Sequence, residues 1–251
     1  MRRKRRCGMK QIKTTAIVTR TADFRDYDRM ITLLSPQDGR LDICLKGCRK
    51  QNAKLRAAGQ MFCFADFELL NPRPGQFIVT SCDVRDSFFS LTQDVDRMLA
   101  AGKLCALSTL LFDAQQDAQR ELFALLLSAV TTLAYAPRVN ASEIVLLCAA
   151  RILKICGYEP QTDFCVECGS PVEKGNFLFN AAMGGVMCES CAARVGGCIH
   201  LSPGAVSSLR MAQELPNTKM ATFHFSAAVR EEVKKTLTAF LSHRLEQPVS
   251  L

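Results

Sequence analysis

Four cysteines, Cys165, Cys168, Cys188 and Cys191, are the residues whose type and spacing most directly specify chemistry. They read C-V-E-C, then nineteen residues, then C-E-S-C. A two-residue gap lets both thiolates of a pair point at one ion, and two such pairs supply the four corners of a tetrahedral zinc site. Gly169 follows the first pair and Gly184-Gly185 precedes the second. Glycine takes the positive φ angles that such turns need. Four sulfur ligands leave no open coordination position, so the expected zinc, one per chain, is structural and does not activate water. The competing reading, four unrelated free thiols, leaves two matched pairs at zinc-ribbon distance unexplained. His200, near Cys198, is the alternative fourth ligand, although four cysteines already suffice.

A second group of residues offers charge rather than metal ligands. Lys46, Arg49, Lys50, Lys54 and Arg56 fall within eleven positions with no acid among them, and Arg40 and Arg73 lie near strand ends. The whole chain carries a net charge of +8, unevenly spread. Residues 1–80 hold 17 Lys/Arg against 7 Asp/Glu, whereas residues 81–251 hold 15 against 17. A basic segment beside a near-neutral one suits a polyanionic partner, most often nucleic acid. The bland alternative is a merely solubilising surface, which an excess confined to one small segment weakens. Affinity from such a loop comes mainly through phosphates, with little sequence preference. Phe62, Phe64, Phe67 and Phe77 could stack bases, but they stand in strongly apolar strands, where core packing is the better expectation.

The elements that must position these groups change character along the chain. Residues 11–85 read as five strands: 12–20, 29–35, 40–46, 61–70 and 76–84. Leu41, Ile43 and Leu45 alternate with polar neighbours. The clusters P-Q-D-G at 36–39 and N-P-R-P-G at 71–75 are turns. Five strands in so short a stretch suit a small closed barrel. The polar segment 47–59 is then a long connection between strands three and four. From 92 to 157 apolar residues recur at helical spacing: Leu104, Leu107, Leu110 and Leu111; Leu122, Leu125, Leu126, Val130 and Leu133; Ile144, Leu147, Cys148, Ile152 and Ile155. Asn140 with Glu143 resembles a capping box, and Gly157 with Pro160 a stop. Ser202-Pro203 starts another helix and Ser226 caps the last, which ends near Leu245. The cysteine segment thus interrupts a helical domain.

Many enzyme chemistries lack their residues here. No G-x-x-x-x-G-K-[ST] run, no G-x-G-x-x-G after a first strand and no G-x-S-x-G elbow occurs. The three histidines, His200, His224 and His243, are scattered. Asp66 and Glu68 alternate on one strand and read as a solvated face. Thirteen cysteines, several single within apolar runs (Cys63, Cys105, Cys148, Cys156), fit buried hydrophobes in a reducing compartment rather than a disulfide scaffold. Cys7, among basic residues, reads as a terminal thiol. Residues 2–6 mimic a signal-peptide start, but Lys10, Lys13 and Arg20 interrupt any apolar run behind them. The stretch 122–136 is short for a bilayer. The expectation is a cytoplasmic protein without a membrane segment.

The order of these features resembles one family. A-I-V-T-R-T-A-D-F-R-D-Y-D-R-M-I-T-L-L-S at 16–35, D-G-R-L at 38–41 and K-G-C-R-K at 46–50 are similar to the N-terminal barrel of RecO, the bacterial recombination mediator. C-V-E-C-G at 165–169 with G-G-V-M-C-E-S-C at 184–191 resembles its zinc motif, and L-S-H-R-L-E-Q-P-V-S-L its C-terminal helix and tail. The resemblance implies an α+β fold: a five-stranded OB-type barrel followed by a helical domain with an inserted four-cysteine zinc lobe. The expected divisions are a flexible basic leader over 1–9, the OB-fold over 10–85, helical parts over 86–162 and 200–251, and the zinc lobe over 163–199. Residues 1–8, before Met9, depart from the family pattern. The resemblance further implies binding of single- and double-stranded DNA, annealing of complementary strands, and work with RecR to load RecA onto strands coated by single-stranded DNA-binding protein, without enzymatic turnover. Two alternatives are a zinc-containing NAD-dependent deacylase, whose glycine-rich loop and catalytic histidine motif are missing, and a zinc-ribbon RNA-binding factor.

Overall fold

The computed structural model describes residues 10–73, 75–112, 118–172, 175 and 177–251; the basic leader over 1–9, with Cys7, lies outside them. The described residues divide into two compact units: residues up to 93 with 105–130, and residues 94–104 with 131–251.

The first unit is built on five strands, β1 (Lys10–Phe24), β2 (Asp28–Ser35), β3 (Gly39–Leu45), β4 (Phe64–Arg73) and β5 (Gln76–Asp86). All pair antiparallel in the order β3-β2-β1-β4-β5. The two outermost strands, β3 and β5, also approach each other, so the sheet curls on itself. This is the plan of a partly open, five-stranded OB-type barrel. Alternation sends Leu41, Ile43 and Leu45 of β3 inward, where they meet Ile31 and Leu33 of β2, Phe67 and Leu69 of β4 and Val79 of β5. β1 is long because it pairs on both sides, with β2 through its second half and with β4 through its first. A register shift between Val18 and Arg20 bends it. Helical residues 105–111 and 119–130 complete this unit. There the hydroxyls of Thr109 and Thr19 lie 2.8 Å apart, and the rings of Phe64 and Phe123 have centroids 6.2 Å apart.

The helices are α1 (Val95–Leu111), α2 (Gln119–Tyr135) and α3 (Ala141–Ile155). The expected apolar faces are buried, except that Leu110 of α1 is exposed and Ile155 at the end of α3 is half-buried. In the second unit α3 is buried on nearly every side, packed against α5 (Pro203–Glu214) and α6 (Ala227–Arg244). Ser202 and Ser226 cap these two helices, accepting from the N–H groups of Ala205 and Val229. Asn140 caps α3, its side chain accepting from Ser142 N–H at 3.1 Å. The capping box expected with Glu143 does not form. Glu143 is 5% exposed and is held instead by His224 at 3.1 Å and Arg230 at 3.5 Å. A buried carboxylate needs a cation or hydrogen-bond donors beside it; Arg230 of α6 supplies the charge, and the His224 ring before α6 lies within hydrogen-bond distance.

Candidate metal centre and nucleic-acid interface

Between α3 and α5 the second unit carries a small lobe. Its sheet has three strands, β6 (Phe177–Asn180), β7 (Gly185–Met187) and β8 (Cys198–Leu201), in the order β7-β6-β8, with the short helix α4 (Glu189–Val195) between β7 and β8. The first cysteine pair sits on a turn after Phe164. Cys165 N–H donates to Ser170 O at 2.8 Å, and Gly169, at φ +74°, donates to Cys165 O at 2.9 Å. The second pair straddles a helix start: Cys188 is the N-cap of α4 and Cys191 lies in its first turn.

Backbone stitching brings the two pairs together. Gln161 and Val166 on the incoming segment hydrogen-bond to Gly184 and Val186, at 2.9–3.1 Å. This needs two glycines for two reasons. Gly184 takes φ +80°, a left-handed conformation. Gly185 has no such angle, but a Cβ there would stand 2.5 Å from Val166 and 2.6 Å from the carbonyl of Gln161. The expectation that both supply positive φ thus holds for Gly184, while Gly185 permits close approach.

The four sulfurs all lie within 4.8 Å of one another, with Cys168 and Cys188 at 3.8 Å. Sulfurs bound about 2.3 Å from one zinc at tetrahedral corners stand roughly 3.8 Å apart, so the donor set fits such an ion. Cys165 and Cys191 are buried, Cys188 half-buried and Cys168 exposed. The Ser190 hydroxyl and the Cys191 N–H lower the Cys188 thiol to about 6. Arg194 donates to Cys191 Sγ at 3.3 Å and favours its thiolate, but the neighbouring cysteines push that thiol up to about 11. Four crowded sulfurs cannot all ionise without a cation among them. His200 is exposed on β8 and lies outside this group, as does Cys198, whose sulfur sits 3.8 Å from that of Met187. Ser190 and Arg194, which sequence spacing did not single out, brace the cluster.

The basic connection runs from Leu45 to Phe64. It is anchored at both ends. Asp28 accepts Gly47 N–H at 2.8 Å, and Arg29 donates to Gly59 O at 2.8 Å. Cys48 and Ala58 are buried, and Leu55 packs on the barrel core. Arg56 donates to the carbonyls of Lys50 (3.0 Å) and Gln51 (2.8 Å), closing the loop on itself. Arg49 N–H donates to Tyr27 O, and its guanidinium reaches the carbonyls of Arg25 and Asp26 and the carboxylate of Asp23. Lys46, Arg49, Lys50, Lys54 and Arg56 are all exposed. Lys46 and Lys54 have no ion-pair partner among the described residues. A cleft of about 280 Å³ is lined by Arg29, Arg49 and Arg56 with Cys48 and Gln60. Arg29 had no place in the sequence reading; its position on a strand of mixed character hid it.

The remaining candidates sit elsewhere. Arg40 begins β3, half-buried and paired with Asp42 at 3.1 Å, roughly 20 Å of strand away from Lys46. Arg73 ends β4, paired in register with Gln76; its side chain lies outside the described residues. Phe62 and Phe67 are buried, and Phe64 and Phe77 are half-buried, so these rings serve packing. Asp66 and Glu68 do form a solvated face: Asp66 accepts from Thr15 (2.6 Å) and Arg85 (2.8 Å), which hold its carboxyl below the usual range, and Glu68 pairs with Lys13 at 2.6 Å.

Two family profiles match the chain: "Recombination protein O N terminal" over residues 9–88 and "Recombination protein O C terminal" over residues 92–251. The chain belongs to the recombination protein O family. Curated relatives agree. It is 31% identical over 245 residues to the DNA repair protein RecO of Desulforudis audaxviator, covering 97% of this chain and 96% of that one. It is 30% identical over 239 residues to that of Desulforamulus reducens (95% and 91%), and 28% over 241 to that of Acetivibrio thermocellus (95% and 94%). RecO proteins are DNA-repair mediators and not enzymes, which sets aside the deacylase alternative. Among the described residues no helix is long and apolar enough to cross a membrane.

Proposed function

We propose that this RecO-family protein is a recombination mediator that binds single- and double-stranded DNA through its basic barrel and anneals complementary strands. The exposed, braced loop bearing Lys46, Arg49, Lys50, Lys54 and Arg56 carries this reading. Its backbone is held by barrel side chains, so its cations are arrayed before the ligand arrives and less ordering entropy opposes binding. Phosphates would enter the cleft between Arg29, Arg49 and Arg56. Arg40 and Arg73, distant along the strands, would meet the backbone of a longer bound strand.

The barrel strands over 10–85 would be the DNA-binding part and residues 163–199 the zinc part. Cys165, Cys168, Cys188 and Cys191 would hold one structural zinc, whose contribution is folding energy for the lobe. Family membership supports cooperation with RecR and loading of RecA on strands coated with single-stranded DNA-binding protein, in the cytoplasm at the nucleoid. By screening phosphate repulsion and holding two strands close, the protein would raise the rate of productive encounter.

A fluorescence annealing assay tests this, on naked strands and on strands coated with single-stranded DNA-binding protein. Acceleration without ATP is expected. An absolute requirement for nucleotide, or no acceleration on either template, overturns it.

A further inference from the structure

We propose that the β1–β2 hairpin tip is a base-stacking platform, with Phe24 and Tyr27 as residues that make the barrel prefer unpaired DNA strands over duplex. This rests on the reading of the barrel as the DNA-binding part and names the strand form it selects.

Nine of the chain's eighteen phenylalanine and tyrosine rings are buried, and among the described residues Phe89, Tyr135 and Phe164 are exposed outside the barrel strands and the basic loop. Phe24, the last residue of β1, and Tyr27, the last residue of the three-residue turn after it, are 40% and 55% exposed at the tip of the first hairpin. Neither contributes to the barrel core. Each carries a cation. The Arg25 guanidinium lies 5.0 Å from the Phe24 centroid, and Lys50 Nζ lies 5.7 Å from that of Tyr27. Exposed aromatic area costs solvation, and a polar tip such as D-F-R-D-Y-D has no packing need for it.

The tip is fixed to the basic loop. Arg49 donates its backbone N–H to Tyr27 O at 3.1 Å and its guanidinium to the carbonyls of Arg25 and Asp26, while also lining the arginine cleft. One side chain thus joins the phosphate seat to the ring-bearing turn. Arg49 touches both the cleft and the backbone of the ring-bearing turn, so a strand seated by its phosphates meets the turn beside it. Groove cations that track the backbone beside aromatic faces that take bases are the two components of single-strand recognition. A duplex keeps its bases stacked and offers the rings nothing, but its phosphates still reach the loop. The rings therefore add affinity for one strand form only, and they add it without sequence preference, because every base has a π-face.

The full chain is measured against a labelled oligothymidylate of about 20 nucleotides, an abasic strand of equal length and a duplex of equal length, at fixed salt. Tyr27→Ala and Phe24→Ala should each weaken oligothymidylate binding by roughly 5- to 100-fold. Duplex binding should stay within about twofold and the salt slope should be unchanged, because phosphate contacts remain. Tyr27→Phe, which keeps the ring, should bind like the unsubstituted chain, and that chain should bind the abasic strand more weakly than Tyr27→Ala binds oligothymidylate, because the abasic strand has no base for either ring. Equal losses on strand and duplex, or no loss in the alanine variants while replacing Lys46 and Lys50 with glutamate abolishes binding, would overturn the platform alone. No DNA binding by the unsubstituted chain would overturn the barrel reading, and the platform with it.

Discussion

At the scale of single residues, the sulfur cluster makes the sharpest demand. Four thiols within 4.8 Å form a stable thiolate set only around a cation, and metal binding in such modules contributes about 10–16 kcal/mol of apparent folding energy. Cys168→Ser should therefore disorder the lobe and lower soluble expression, and metal analysis of the unsubstituted chain should find one zinc equivalent. Protein purified without chelator and free of zinc would refute this. Buried thiols away from the cluster give a pH effect of definite sign. Burial pushes Cys105 and Cys148 from 9.0 up to about 12. The folded pKa lies above the unfolded one, so the unfolded chain ionises first. Their contribution is fully present below pH 9 and is lost progressively as pH rises toward about 12. The urea midpoint should fall between pH 8 and about pH 10.5, and the fall should be shallower in Cys148→Ala.

At the scale of elements, the connection between β3 and β4 shows how a polar segment becomes a defined surface. Its cations are exposed, but its backbone is closed by Arg56 and anchored by Asp28 and Arg29. Asp23 pairs with both Arg29 and Arg49 at the surface, and exposed pairs of this kind contribute only about 0–1 kcal/mol each, so the loop's shape rests mainly on hydrogen bonds to carbonyls and on burial of Cys48, Leu55 and Ala58. Five phosphate contacts on a single strand predict a log–log salt slope of roughly −3 to −4. Replacing Lys46, Arg49, Lys50 and Lys54 with glutamate should weaken binding on every sequence and flatten that slope. Unchanged affinity in a folded quadruple variant would reduce the loop to a solvated surface. Loss of Arg49 also removes the tie to the hairpin tip, so circular dichroism should accompany that measurement.

At the scale of the whole molecule, the net charge of +8 arises from the first third of the chain. Fields from such a patch act over a screening length of about 10 Å at 0.1 M salt. If annealing works by strand encounter on the barrel, its rate should fall with salt over the same range as DNA binding. Stopped-flow annealing across a salt series checks this; a rate that persists where binding is lost would place the effect elsewhere.

The linear order of residues determined what depends on neighbours along the chain. The strand alternation of β3, the caps at Ser202 and Ser226, and the paired C-x-x-C spacing all express local geometry, and each appeared where the residues implied. The family, too, was legible in motif order. Tertiary structure decided what depends on residues far apart. Glu143 looked like a capping partner because it stands three residues after Asn140, but Arg230 and His224, more than 80 positions on, hold its buried carboxylate instead. Gly185 looked like a turn glycine, but the segment 161–166 makes it a site of close approach. Arg29 gained its place in the basic cleft, and Tyr27 the Lys50 cation over its ring, only when the loop after β3 folded back on the first hairpin. A short motif carries its geometry in its own backbone; a charge or a ring acquires its role from whatever the fold sets beside it.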